Sequence, residues 1–286
     1  MQTRREFLGC SAATMVALGL SRAAHAKKVK ARPDAFGVQL YTVRDLMKTD
    51  PAGTLAAVRK IGYRTVETYS GLYGKTPAKD LRTQILDAGL EVPSAHFSYA
   101  DFGNRMDYAK ELGVKYVVCG NTPGADDHST DGFKRTAHQY NLWGEQAKAT
   151  GLQFGFHNHN AEFAAFDNGV TGMETLLAET DPKLVYWQMD CYWVTQAGQD
   201  PVTLLKRYHN RMQTIHVKDR KPGFPFTTSG PSAHFTEAGK GTLDWPAIWA
   251  AATADGVRQF FVEQDTTEIP PLDSLKISYD YLSTHI

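Results

Sequence analysis

Five residues of this sequence carry the types and placement for metal chemistry. His157, His159, Asp190, His216 and Glu263 each sit at or just past the end of a short apolar run. The first run, Gln153-Phe154-Gly155-Phe156-His157-Asn158-His159, ends in two histidines at i and i+2. In a β-strand, residues two apart point to the same side, so both imidazoles would project together. The other runs are Val185 to Asp190, Thr214 to Asp219 with His216 and Lys218 inside it, and Phe260 to Asp265 with Glu263 inside it. A lone histidine or carboxylate at a strand end is commonly structural: it caps a loop or pairs with an arginine. Four consecutive strands that each end in a ligand type point instead to one divalent ion held where the strand ends converge. Imidazole mixed with carboxylate, and no thiolate, suits Mn²⁺, Co²⁺, Fe²⁺, Zn²⁺ or Ni²⁺ better than Mg²⁺ or Ca²⁺.

Such convergence needs a particular scaffold. From Phe36 on, apolar runs alternate with helical patterns. Strands are expected at 36–41, 65–69, 91–97, 116–120, 153–159, 185–190, 214–219 and 260–265. Helices are expected between and after them, at 51–61, 79–88, 104–112, 132–150, 171–179, 200–208, 244–254 and 272–283. Pro51, Pro201 and Pro246 stand early in their helices; Gly62, Gly89, Gly113 and Gly151 follow helix ends. Eight strand–helix units in about 250 residues predict a single-domain (β/α)₈ barrel over 35–286. In that architecture functional groups gather at the C-terminal ends of the strands, where all five residues fall. A doubly wound open sheet is the alternative, but no G-x-G-x-x-G turn follows the first strand.

Strand parity places further residues at the same mouth. Glu67 and Tyr69 end the second strand and His96 the third; Lys218 lies two after His216, and Trp193 follows Asp190. Glu67, Tyr69, His96 and Trp193 are expected to contact substrate. Lys218 and His159 are expected to move protons. Aromatic rings near these ends, including Tyr41 and Tyr192, would wall a sugar ring, although core packing is the commoner use of aromatics. Glu162 lies beyond its strand end and is read as peripheral.

At this level of detail the chain resembles the xylose isomerase-like TIM-barrel superfamily, the sugar phosphate isomerase/epimerase group, over residues 35–285. The resemblance rests on Phe156-His157-Asn158-His159, Asp190-Cys191-Tyr192-Trp193-Val194, His216-Val217-Lys218-Asp219, Gly239-Lys240-Gly241-Thr242-Leu243-Asp244-Trp245, Val262-Glu263-Gln264-Asp265 and Ser274-Leu275-Lys276-Ile277-Ser278-Tyr279. It implies a metal held by His157, Asp190, His216 and Glu263, with His159 as the alternative ligand from the fifth strand. The family usually has Glu where His157 stands, and its keto-sugar epimerases exchange protons between two metal-bound glutamates. Only Glu263 remains of that pair here.

These readings imply a divalent-metal-dependent isomerase or epimerase of a keto sugar that removes a proton next to a carbonyl, with Glu263 as base. One alternative is a lyase or dehydratase that eliminates a β-substituent from a 3-keto-glycoside or keto-cyclitol, which the missing second Glu favours. Others are a non-catalytic sugar-binding barrel, a metal-dependent hydrolase, and an endonuclease. The endonuclease reading sits poorly with a formal net charge of zero, which also gives no reason to expect nucleic acid or an anionic membrane as partner.

The N-terminus has its own signature. Thr3-Arg4-Arg5-Glu6-Phe7-Leu8 is a twin-arginine pattern; an apolar stretch to Leu20 and Ala24-His25-Ala26 follow. Residues 1–26 are expected to be a signal peptide read by the twin-arginine export machinery and cleaved after Ala26, with a periplasmic destination. The stretch is short and rich in small residues for a membrane span, so no stable insertion is expected. Intact-mass analysis of exported protein tests the cleavage. Beyond residue 26 only Cys119 and Cys191 remain, which is no disulfide framework. The loop at 220–242, rich in Gly, Pro and Ser, is read as a lid or a subunit contact, and the oligomeric state stays open.

Overall fold

Apolar runs flanked by amphipathic stretches become eight parallel strands and their helices in the computed structural model, which describes residues 36–286 apart from 75, 125, 127, 231 and 232. The expected signal peptide lies outside the described residues. The barrel strands are β1 (Phe36–Gln39), β2 (Thr65–Thr68), β3 (Glu91–Phe97), β4 (Tyr116–Cys119), β5 (Gln153–His157), β6 (Val185–Asp190), β7 (Met212–Val217) and β10 (Gln259–Val262). They pair in parallel and close through β1 against β10. The predicted (β/α)₈ barrel is the observed fold. No helix among the described residues is long and apolar enough to cross a membrane.

Each strand's two faces do different work. Outward residues pack on the surrounding helices: Phe154 and Phe156 of β5 lie against Tyr140 of α5 (Thr130–Ala149), with ring centroids 5.4 and 5.6 Å apart. Inward residues fill the barrel in layers. The lowest layer is aromatic, with Tyr116 and Tyr186 edge to face at 5.6 Å. Gly155 makes room there, because a Cβ on it would stand 2.5 Å from the Tyr186 ring. Above this layer the interior turns polar, and the sequence shows why. Two residues on from Tyr186 is Gln188, then Asp190; Thr214 is followed at the same spacing by His216 and Lys218.

Local signals set the helices. Asp50 caps α2 (Pro51–Ile61) by accepting from the Gly53 amide at 2.9 Å, with Pro51 in the first turn. Thr171 and Glu174 form a reciprocal capping box on α6 (Gly172–Glu179). Near the mouth, features appear that were not anticipated. A short helix, α7 (Cys191–Gln196), starts directly at the end of β6. The loop after β7 also holds a two-stranded antiparallel ribbon, β8 (Asp219–Arg220) with β9 (Phe235–Thr236).

Asp219 ties that loop to the barrel. Its Oδ1 accepts from the amides of Arg220 (2.8 Å) and Leu243 (3.1 Å), and its Oδ2 from the Gly239 amide and Trp245 Nε1, both at 2.9 Å. Four donors on one buried carboxylate satisfy its lone pairs and fix the path of the chain past the mouth. Arg220, also buried, donates to Gln196 and to the carbonyls of Phe224 and Pro225, which holds the outer arm of the loop against α7.

Candidate active site at the barrel mouth

The expected ligands meet at the C-terminal ends of β5, β6, β7 and β10. Asp190, His216 and Glu263 each offer an atom within 4.8 Å of the others, and all three are buried. His216 Nδ1 lies 2.9 Å from Glu263 Oε2 and 3.9 Å from Asp190 Oδ2. His157 joins through Nε2, 3.8 Å from the same Asp190 oxygen. The ring of His159 is further out, 5.1 Å from that of His157 and 5.4 Å from that of Trp193.

Asp190 serves two purposes that the sequence left as alternatives. Its Oδ1 accepts from the Trp193 amide at 3.0 Å and caps α7. Its Oδ2 is buried and accepts no hydrogen bond among the described residues, although Lys218 Nζ stands 3.0 Å away off the bonding direction. An acceptor-only oxygen in that state, facing two imidazole nitrogens and a second carboxylate, is what a divalent cation requires. The residues present therefore fit a divalent metal with mixed nitrogen and oxygen donors. His157 Nε2, Asp190 Oδ2, His216 Nδ1 and Glu263 would hold it.

Lys218 is central rather than peripheral. Its ammonium is buried and lies 3.0 Å from Asp190, 2.9 Å from Glu263 and 2.7 Å from Asp265. Burial alone would lower its pKa, but Asp190, Asp265 and Glu263 outweigh that and hold it well above the usual lysine range. The same contacts act on Glu263. Burial favours its neutral form, yet the charges of Lys218 and His216 keep its pKa well below the usual range. Asp190 goes the other way: burial raises its pKa against the pull of Lys218 and His216. The histidines divide similarly. Burial would depress His216, but Glu67 and Glu263 on its two nitrogens raise it to about 10. Burial and then the Lys218 charge push His159 down to about 4, so it is neutral near pH 7. His157 is held well below its ordinary value by burial and by the imidazoles around it.

Several sequence-based expectations meet a different arrangement. Glu67 was expected at the substrate but lies one layer down, fully buried. Its Oε1 accepts from Ser94 Oγ (2.5 Å) and Gln188 Nε2 (2.8 Å). Its Oε2 accepts from Gln39 Nε2 (2.9 Å) and His216 Nε2 (2.5 Å), with His96 Nε2 at 3.2 Å. The physical reason is barrel depth: Glu67 is inside β2 and directed inward, while the mouth begins beyond the strand end. His96, two residues nearer the mouth on β3, shares two of these partners: its Nε2 lies 2.5 Å from Gln188 Oε1 and its ring stacks on His216 at 5.2 Å. Tyr69 does reach the rim, half-buried and edge-on to the exposed Tyr41 at 5.4 Å. Trp193 lies at the opposite side of the mouth, 5.7 Å from Lys218 Nζ to ring centroid, and its buried Nε1 has no hydrogen-bond partner among the described residues. Glu162, read as peripheral, is buried and accepts from the His159 amide at 3.0 Å, which fixes the turn carrying that ring.

Sequence reasoning missed Gln39, Ser94, Gln188, Asn158 and Asp265. Asn158 sits between the two histidines and joins β5 to β6, accepting from Trp187 Nε1 (2.8 Å) and the Asp190 amide (2.9 Å). For Ser94, Gln188 and Asp265 a signal existed. Ser94 stands two before His96, Gln188 two before Asp190 and Asp265 two after Glu263. Polar residues in phase with a ligand inside an apolar strand are candidates for the layer that supports it.

The family model for the xylose isomerase-like TIM barrel matches residues 55–283. Among curated relatives, inosose dehydratase of Lacticaseibacillus casei is 26% identical over 263 residues, covering 77% of this chain and 85% of that one. A crystal structure of a sugar phosphate isomerase/epimerase from Parabacteroides distasonis superposes with a TM-score of 0.75 at 25% identity, covering 92% of this chain and 98% of that one. The structure of the IOLI protein with a bound zinc atom shares the fold at a TM-score of 0.66 and 14% identity, with 87% and 98% covered. Two of these relatives are by name enzymes, a dehydratase of inosose and an isomerase/epimerase of sugar phosphates. With most of its length matched, the chain belongs to the xylose isomerase-like TIM barrel family.

Proposed function

We propose that this protein is a divalent-metal-dependent enzyme that removes a proton next to the carbonyl of a keto sugar or related carbohydrate and then eliminates a β-substituent. The observation that carries this reading is the convergence of Asp190, His216 Nδ1 and Glu263, with an imidazole, His157, at the position a second carboxylate would need for symmetric epimerisation. A bound divalent ion would supply Lewis acidity to the substrate's carbonyl and neighbouring hydroxyl oxygens.

The chain's own groups account for the remaining work. Glu263 is kept ionised by Lys218 and is the base for the α-proton; only its Oε2 takes the contacts from His216 and Lys218. Proton removal leaves the electron pair on the carbonyl oxygen, and its return expels the β-substituent. That leaving group needs a proton. Lys218, an ammonium beside Glu263, is the group that carries such a proton, and neutral His159 next to Trp193 can donate a hydrogen bond to the leaving oxygen. Trp193 on one side and Tyr69 with Tyr41 on the other would bracket a sugar ring.

Inosose dehydratase is by its name a dehydratase, and this supports elimination as the outcome. Isomerisation or epimerisation is the second reading, favoured by the name of the Parabacteroides distasonis structure. Both share the first proton transfer. The twin-arginine pattern at the N-terminus supports a periplasmic location and therefore an unphosphorylated substrate, such as a 3-keto-glycoside or keto-cyclitol. The test is proton NMR in D₂O with zinc- or manganese-loaded protein and a panel of free keto sugars, 3-keto-glycosides and keto-cyclitols, with and without chelator. Chelator-sensitive loss of the α-proton signal with new alkene signals is expected. Deuterium at the α-carbon without alkene would select isomerisation. No exchange and no product from metal-loaded protein would refute both.

A further inference from the structure

The polar layer beneath the ligands has a regularity of its own. Both oxygens of Glu67 are faced by donors, Ser94 Oγ and Gln188 Nε2 on Oε1 and Gln39 Nε2 on Oε2. Carboxylate oxygens that take amide and hydroxyl donors act as acceptors, so an imidazole nitrogen facing them donates. His216 Nε2, at 2.5 Å, therefore carries hydrogen. In the neutral ring its lone pair is left on Nδ1, the nitrogen that faces Glu263 and Asp190. The same logic orients Gln188. Its Nε2 donates to Glu67 Oε1 at 2.8 Å and to Thr214 Oγ1 at 2.9 Å, so its Oε1 points the other way. That oxygen accepts from His96 Nε2 at 2.5 Å and from His157 Nδ1 at 3.1 Å. His157 then carries hydrogen on Nδ1 and presents the lone pair of Nε2 toward Asp190 Oδ2.

We infer that Glu67 and Gln188 are positioning residues that set the tautomers of His216 and His157, so that the two rings present opposite nitrogens, Nδ1 and Nε2, to one cation. The inference rests on the metal reading proposed above. It also accounts for the second histidine cluster, in which nitrogens of His96, His157 and His216 lie within 4.8 Å of one another. The ring nitrogens turned toward Glu67 and Gln188 are hydrogen donors to that pair, so this cluster is the orienting network rather than a second metal site. Gln39 and Ser94 complete it by donating to Glu67 and holding the carboxylate in place. Partners of this kind fix ring orientation, and their removal typically weakens metal binding about 10–100-fold.

The experiment has one arm without mutation. Long-range ¹H–¹⁵N NMR of histidine-labelled, zinc-loaded protein should show His216 as the Nε2–H form and His157 as the Nδ1–H form. In the second arm, zinc affinity is measured by competition with a chromophoric chelator for wild type, Glu67→Gln and Gln188→Met, with circular dichroism to confirm folding. Each variant is expected to bind zinc about 10–100-fold more weakly. Glu67→Asp, which keeps the acceptor, should recover part of the loss. The opposite tautomers, or wild-type affinity in both folded variants, would overturn the inference and leave the metal reading intact. Failure of the wild type to bind zinc, with His157 still in the Nδ1–H form, would overturn the metal reading and reduce the network to a buried polar core.

Discussion

Replacing Lys218 with Met should destabilise the metal-free protein and tighten its grip on zinc. The ammonium lies within 3.0 Å of oxygens from Asp190, Glu263 and Asp265, and it is buried. Methionine keeps much of the stem's volume but leaves three carboxylates facing each other, with His216 the remaining cation at Glu263 and Asp190. Removing one partner from a buried charge cluster costs about 3–5 kcal/mol, because the other charges stay desolvated. For a chain of this size that is a fall of roughly 6–15 °C in Tm. A divalent cation reverses the balance, since it brings two positive charges to the oxygens the lysine served. If zinc recovers about 2 kcal/mol of the loss, the thermodynamic cycle requires its binding to tighten about 30-fold. Calorimetric melting in chelator, then in excess zinc, measures both halves. Chelator competition gives the affinity directly. A metal-free Lys218→Met protein as stable as wild type, or one with weakened zinc binding, would refute the reasoning.

Three further outcomes are expected. Glu263→Gln at saturating metal should slow α-deuterium exchange by about 10²–10⁴-fold, and retention of wild-type exchange would remove Glu263 as the base. His159, with its folded pKa lowered to about 4 against an ordinary value near 6.5, makes the unfolded chain bind more protons between those values. Stability from this group is complete above about pH 6.5 and is lost as pH falls toward 4; a His159→Gln variant in chelator should therefore lose less Tm than wild type across that window, and parallel curves would contradict the assignment. Asp219→Asn turns one acceptor into a donor that confronts two of its four N–H partners, so it should cost about 2–4 kcal/mol and expose 239–245 to limited proteolysis; an unchanged cleavage pattern would show that Asp219 does not hold the loop.

Much of this protein is written locally. Short apolar runs, prolines in first turns and glycines after helix ends predicted every barrel strand and its following helix, because these signals act within a few residues. Strand 91–97 and helix 51–61 appear with the predicted bounds. The ligand types were also legible, since a barrel sends all its strand ends to one mouth. Depth along the barrel axis was not legible. Glu67 and Asp190 look alike in sequence, each a carboxylate at the end of an apolar run. Yet Glu67 is sealed below by donors from β1, β3, β6 and β7, while Asp190 keeps one buried oxygen without a hydrogen bond among the described residues. Nor could parity say which histidine, His157 or His159, faces the other ligands, because both point inward. That choice depends on Gln188 and Asp190 from the neighbouring strand, on barrel closure and on strand stagger, which are properties of the assembled sheet and not of any one segment. Residue type and spacing thus determined which groups could do chemistry; only the tertiary structure decided which of them stand together at the strand ends and which lie beneath and support the others.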